Sequence, residues 1–152
     1  MSIATAGWSE VSGIGLHEGT AGPGWDHEPD IGPSPLILPV LLRQILTGCS
    51  EGRLWVGEWD GWGDRKRPAG SRPLTVPGRR YHVTATSPRK LLTELNPDRL
   101  PDVVWDEAGT FIILADIDLP STVVGCQKGI AERLLRNPGL EAVRVDGAAP
   151  VV

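Results

Sequence analysis

The sequence predicts an α+β fold, with a mostly antiparallel sheet of about five strands and two or three packed helices. In some segments apolar residues recur at helical spacing, and in others they alternate with polar residues as in a strand. The predicted strands follow one another in pairs joined by turns or loops, which favours antiparallel pairing. The composition, 40% apolar and 22% charged, is that of a globular protein.

The first predicted elements follow a glycine-rich N-terminal segment, residues 1–32, in which no helical or strand period survives and loops are expected. A helix is predicted near 36–47, because apolar residues recur there at helical spacing and Gly48 supplies a stop. Alternation of apolar and polar residues predicts a strand at 53–59. A long loop rich in Gly, Pro and Arg is then expected over 60–78.

The second half of the chain contains the remaining predicted elements. In order, these are a strand at 80–86, a short helix from Pro88 through Leu95, a hairpin of strands at 103–105 and 110–117, a helix near 124–136 and a strand at 140–145. The apolar run 111–115 indicates the centre of the sheet. We expect one domain over 33–147 and a short tail at 148–152.

Charge and hydropathy exclude some classes of protein. The net charge of -4 argues against nucleic-acid binding over the whole surface. We see no apolar run near the ~18 residues of a membrane span and no secretory signal at the start, so a cytoplasmic location and no membrane partner are expected. Cys49 and Cys126, far apart in sequence, are expected to be reduced, buried small residues.

Three short sequence patterns are shared with a group of known proteins. A W-x-G-x-G pattern lies at residues 59–63, an R-x-Y pattern at 79–81, and a D-[LF]-x-S-T-x-V-G pattern at 118–125. These blocks resemble a family of small, uncharacterised actinobacterial proteins. The resemblance covers 33–147 and implies a shared fold and lineage, without an established activity. The chain departs from the family at 103–106, where Val-Val-Trp-Asp replaces the family's Trp-Trp-Pro pair.

Tryptophans and basic residues form the first candidate site. Trp59 and Trp62 could anchor a partner or stack on a ligand, and the alternative is that they belong to the core. Eight Arg or Lys residues and no acid lie between Arg65 and Lys90. Such a segment could meet an acidic partner, a phosphate or RNA, and the alternative is a solvated loop paired with the protein's own acids. The candidate binding residues of this segment are Arg65, Lys66, Arg67, Arg72, Arg79 and Arg80.

Carboxylates form the second candidate site. Asp116 and Asp118 are two apart on a predicted strand, so both side chains should face one side of the sheet. With Glu58 and Asp60 they could converge at neighbouring strand ends for acid–base chemistry or for a divalent cation. Thr122, at the expected start of the last helix, could help to bind an anion. The alternative is that Asp118 and Thr122 cap a turn and a helix, and that Asp116 pairs with an arginine.

Histidines give a weaker indication of chemistry. His17 and His27 are ten apart in the glycine-rich segment, without the spacing of a zinc site, so neither a metal site nor a cofactor is predicted. His82, on a predicted strand, reads as a satisfied, half-buried residue rather than a catalytic base.

These observations favour a non-enzymatic binding or interaction protein, immunity-like or regulatory, that uses the tryptophan-rich strand end and the basic loop. Its expected partner is a protein, with a small-molecule or anionic ligand as a second possibility. The first alternative is a small enzyme or ligand-binding domain built on Asp116 and Asp118. The second is nucleic-acid binding through residues 65–90, which the acidic net charge disfavours.

Overall fold

The computed structural model describes residues 2–4 (backbone), 32–47, 51–63, 65–115, 118 and 121–145. Within these ranges, eight strands and three helices are present. The strands are β1 (Ser2–Ala4), β2 (Leu54–Trp59), β3 (Arg72–Val76), β4 (Arg79–Thr86), β5 (Val103–Asp106), β6 (Phe111–Leu114), β7 (Val123–Cys126) and β8 (Val143–Val145). The helices are α1 (Leu38–Leu46), α2 (Pro88–Glu94) and α3 (Lys128–Leu135). Among the described helices, none is long and apolar enough to cross a membrane.

The strands form one sheet in the order β3-β4-β2-β5-β6-β7-β1-β8. Every described pair of neighbouring strands is antiparallel. Strands β2 and β6 therefore run in the same direction, and both end at the sheet edge where β4, β5 and β7 begin. This edge collects the loops that carry most of the candidate site residues.

One face of the sheet is covered by the helices. Leu38, Leu42 and Ile45 of α1 are almost fully buried, and they share a core with Val104 and Ile113 of the central strands. Their spacing at i, i+4 and i+7 places them on one side of α1, as an amphipathic helix requires. Burial of such apolar side chains stabilises the folded state by roughly 25 cal/mol for each Å² of surface removed from water. This core is therefore the main source of stability.

The start of helix α2 is set by a serine cap and a proline in the first turn. The hydroxyl of Ser87 accepts a hydrogen bond from the backbone N–H of Lys90 at 3.3 Å. Pro88 follows in the first turn, where a missing N–H costs nothing. Leu91, on the inner side of the helix, is buried in the same core.

The other face of the sheet, which we call the open face, carries a second cluster without any helix residue. Tyr81, Val83 and Val103 are buried there among half-buried hydrophobic side chains, which are Trp55, Trp59, Trp105 and Leu114. Gly57 allows this close packing, because a Cβ at its position would lie 2.5 Å from a methyl carbon of Val103.

The predicted α+β class with a mostly antiparallel sheet is confirmed, and its helices and strands at 36–47, 53–59, 80–86 and 88–95 are present with ends shifted by up to two residues. The sheet has eight strands within the described residues, beside the expected number of about five. The predicted loop 60–78 contains β3, whose Pro73 is tolerated because β3 lies at the end of the sheet. The central position predicted for the run 111–115 is confirmed for β6.

Three further predictions in the C-terminal half were wrong in detail. The helix expected at 124–136 begins only at Lys128, because residues 123–126 form β7 between β6 and β1. The strand expected at 110–117 ends at Leu114, and the strand expected at 140–145 is limited to β8. The loops expected over 1–32 lie outside the described residues, except that residues 2–4 form β1 and Gly32 is described.

Candidate functional site

Polar and aromatic side chains meet at the edge of the sheet at which β2 ends, and we call this the β2 edge. It brings together Trp59, Trp62, Arg79, Asp102 and Asp118 through the contacts described below. Asp102 comes directly before β5, Arg79 begins β4, and Asp118 lies beyond the end of β6. Because β2 and β6 end at the same edge, residues far apart in sequence become neighbours here.

Asp102 is the centre of the β2 edge. Asp102 is only 2% exposed. Its carboxylate accepts hydrogen bonds from the backbone N–H of Trp59 at 2.7 Å and from the indole N–H of Trp62 at 3.2 Å. Burial raises the pKa of this carboxyl above its ordinary value, and the two tryptophan N–H groups oppose that rise. Its own backbone N–H donates to the carbonyl of Gly57 at 3.0 Å, which fixes the residue against β2.

The two tryptophans of this edge are held between cations. The rings of Trp59 and Trp62 meet edge-to-face, with centroids 6.0 Å apart and an interplanar angle of 78°. The guanidinium of Arg65 lies 4.2 Å from the Trp62 centroid, and that of Arg79 lies 5.4 Å from the Trp59 centroid. Arg79 also forms an ion pair with Asp118. Both indoles are half-buried and fixed, so they are part of the framework of the site.

The other acidic candidates are each bound to a basic side chain. Glu58 accepts two hydrogen bonds from Arg99, 2.9 Å from Nε and 2.7 Å from Nη2. This bond holds the pKa of the Arg99 guanidinium above its ordinary value. Asp60 binds His82 Nε2 and the guanidinium of Arg80.

The contacts of Asp60 determine its charge state. Its hydrogen bonds with His82 and then with Arg80 hold the pKa of its carboxyl below the ordinary value. Asp60 is therefore a carboxylate at neutral pH, and it accepts hydrogen bonds. A general acid would have to hold a proton at this pH, so Asp60 is unsuited to that role.

A small cleft lies beside these ion pairs, between β2, β4 and the loop that follows Trp62, and we call it the His82 cleft. Its volume is about 180 Å³. The side chain of His82 is 8% exposed, and its Nδ1 has no hydrogen-bond partner among the described residues. The lining of the cleft also includes Trp59, Trp62, Arg65, Lys66 and Arg67.

A larger groove lies on the open face of the sheet, and we call it the open-face groove. Its volume is about 800 Å³, and its apolar lining includes Leu74, Val76, Tyr81, Trp105, Ile112 and Leu114. Leu74 and Val76 of β3 are each 37% exposed, and Ile112 of β6 is 47% exposed. Leu74 and Val76 lie on a different strand from Ile112, but all three line this one groove, and exposed apolar side chains collected on one face are typical of an interaction site.

The remaining predicted site residues are dispersed. Arg72 is exposed on β3, and Lys66 and Arg67 are exposed on the loop over the His82 cleft. Thr122 is 2% exposed and comes directly before β7, so its expected place at the start of a helix was wrong. Asp118 lies outside any described strand, and Asp116 lies outside the described residues, so the predicted common face of the two side chains stays a prediction.

Sequence reasoning missed Asp102 and Arg99, because their partners lie about forty positions away and no local pattern marks them. Among the described residues, no group of three or more His, Cys, Asp and Glu side chains could hold a metal ion. His17, His27 and Cys49 lie outside the described residues. Cys126 is a buried free thiol whose pKa is raised by that burial.

The chemistry available at the two sites differs. The His82 cleft is small, polar and rich in cations, whereas the open-face groove is larger and mainly apolar, with Arg79 in its lining. The first suits a small polar ligand, and the second suits the apolar side chains of a partner. No protein-family model, curated protein or solved structure matches this chain.

Proposed function

We propose that this protein is a non-enzymatic interaction protein that binds a partner protein on the open face of its sheet. The occupant of the open-face groove is an extended partner segment in which acidic and apolar residues alternate. The observation that carries this proposal is the exposed row of Arg72, Leu74 and Val76 on β3, which borders an apolar groove of about 800 Å³.

The register of the sheet explains why these side chains share one face. Leu74 pairs with Tyr81, which is buried on the open face, and residues two apart on a strand point the same way. Arg72 and Val76 therefore flank Leu74 on that face. Thr75, between them, points to the opposite face although it is exposed on the same strand.

Charge complementarity identifies the partner. Arg72 has no ion-pair partner among the described residues, and Arg79 lines the same groove. Arg79 already pairs with Asp118, and Arg80 already pairs with Asp60, so the positive charge that a bound segment would meet on these two strands is mainly that of Arg72. Acidic side chains on the partner would pair with this charge, while apolar ones would cover Leu74 and Val76.

The partner is expected to lie across the open face rather than to extend the sheet. Strand β3 is the end strand of the sheet, and a free end strand can pair with a foreign strand. Pro73 lacks the N–H that such pairing uses, and a proline is a common means of blunting an edge. The groove would then contact the apolar side chains of the partner segment, and the arginines would orient that segment on the open face.

Selection from a display library of extended peptides tests this proposal. We expect the selected peptides to alternate Asp or Glu with apolar residues and to bind less tightly as salt is raised. Leu74→Asp should reduce their affinity at least about tenfold, whereas Thr75→Asp, with the same charge on the opposite face, should reduce it about threefold or less. Selected peptides without acidic residues, or equal losses in the two variants, would contradict the proposal.

A further inference from the structure

The His82 cleft is separate from the proposed interface. Glu58 and His82 are register partners, and they lie on the face opposite to that of Trp59 and Tyr81. The open-face groove is lined from the Tyr81 side, and it shares no lining residue with the His82 cleft. A ligand in the cleft would therefore occupy a different surface, and the inference below does not depend on the proposed function.

From the structure we infer that the His82 cleft binds a small ligand that combines an oxyanion with a hydroxyl donor. Hydrogen phosphate and small hydroxycarboxylates have this chemistry. The oxyanion would be held by the side chains of Lys66 and Arg67, and the hydroxyl group would donate to Nδ1 of His82. A volume of about 180 Å³ limits the ligand to a small molecule.

The requirement for a donor follows from the bond between His82 and Asp60. Asp60 is a carboxylate and can only accept, so Nε2 of the imidazole carries the hydrogen in this pair. In the neutral ring Nδ1 is then an acceptor. It is buried without a partner among the described residues, and an unsatisfied buried polar atom costs about 1–3 kcal/mol. A hydroxyl group in the cleft would supply the missing hydrogen bond.

The requirement for an anion follows from the charges of the lining. The two acids of the lining are already bound, Glu58 to Arg99 and Asp60 to His82 and Arg80. By contrast, Lys66 and Arg67 have no ion-pair partner within the described ranges. The cleft therefore has an excess of positive charge that its own acids leave unpaired.

The loop that carries these cations is held in place. The backbone carbonyl of Lys66 accepts a hydrogen bond from Arg99 at 2.7 Å. Arg65 stacks on Trp62 and donates to the carbonyl of Leu100 at 3.4 Å. These contacts fix the chain at residues 65 and 66 and leave the side chains of Lys66 and Arg67 available for a ligand.

Nuclear magnetic resonance of the full chain tests this inference. The probes are sodium phosphate, sodium malate and sodium chloride at equal ionic strength, and the signals followed are the ring nitrogens of His82 and the indole N–H of Trp62. His82→Gln identifies the histidine signals. We expect phosphate, malate or both to move the His82 Nδ1 signal in a saturable way, and the more tightly bound probe distinguishes a phosphate ligand from a hydroxycarboxylate.

A matched pair of double variants completes the test. Lys66→Gln with Arg67→Gln should weaken binding about fivefold or more, whereas Arg89→Gln with Lys90→Gln on α2 removes the same charge elsewhere and should change it about twofold at most. Both pairs are exposed, so the fold should be retained. The inference is overturned if neither anion saturates the His82 signals, if chloride moves them equally, or if the two double variants lose affinity equally.

Discussion

Replacement of Asp102 by alanine removes the acceptor on which the β2 edge depends. The backbone N–H of Trp59 and the indole N–H of Trp62 would both lose their partner. An unsatisfied buried donor costs about 1–3 kcal/mol, and the removal of a buried carboxylate returns part of this because its ionisation in the folded state is unfavourable. We therefore expect Asp102→Ala to lower the free energy of unfolding by about 2–4 kcal/mol at neutral pH.

Asp102→Asn is the matched control. Oδ2 of Asp102 lies 2.7 Å from the Trp59 nitrogen and 3.2 Å from the Trp62 indole nitrogen. A single amide oxygen at that position can accept both hydrogen bonds, so asparagine should cost about 1 kcal/mol or less. Urea unfolding at pH 7, followed by circular dichroism with equal m-values, measures both variants. A loss below about 0.5 kcal/mol for alanine, or equal losses for the two variants, would refute this reasoning.

The pH dependence of the same pair provides a second check. Because the folded-state pKa of Asp102 is raised, the protonated form is favoured in the native state. The contribution of the protonated Asp102 carboxyl to stability is fully present below the unfolded-state pKa of about 3.9. It is lost as pH rises through the folded-state pKa. The stability of the wild type relative to Asp102→Asn should therefore fall as pH is raised from about 4. A constant or rising difference would contradict the burial of an ionisable carboxyl at this position.

Three further substitutions test the packing and the loops. Gly57→Ala places a Cβ 2.5 Å from a β5 methyl carbon, and we expect a loss of about 1–3 kcal/mol in thermal or urea unfolding. Arg99→Lys replaces a bidentate contact with Glu58 by a single one and should cost about 1 kcal/mol, and it should speed proteolysis of the basic loop that contains Lys66, whose carbonyl Arg99 also binds. Asp106→Ala removes the acceptor of the Thr110 N–H at 2.7 Å and of its hydroxyl at 2.5 Å, and a loss of about 2 kcal/mol is expected. An unchanged unfolding midpoint in any of these variants would contradict the packing or the contact on which its prediction rests.

Local patterns were sufficient to predict several elements. The helix α1 follows from apolar spacing, and α2 follows from Ser87 and Pro88 at its start. Strand β3 escaped prediction because proline and arginine are poor strand signals, although an end strand tolerates both. The residues of strand β7 were assigned to the predicted helix, because their short apolar run leads directly into α3. Both errors concern elements that are defined by their neighbours in the sheet.

The candidate site was predicted only in part, for a related reason. Residues near the end of β2 could be singled out by composition, since tryptophan and arginine are concentrated there. Their roles depend on partners that the fold brings in from other strands. The contacts of Trp59 and Trp62 with Asp102 span 43 and 40 positions, and no local spacing encodes them. The same holds for the exposed side chains of β3, which form a groove only because the fold places Tyr81 and Ile112 on the same face.

The most direct test of the proposed interface is a map of the surface that a selected acidic peptide covers. The methyl signals of Ile112 and Ile113 form an internal pair, because Ile112 is exposed on the open face and Ile113 is buried beneath the helices. Binding on the open face should move the signals of Ile112, Leu74 and the Trp105 indole and leave Ile113 nearly unchanged. Shifts confined to the His82 cleft, or to arginine side chains without any methyl shift, would contradict an interface on this face.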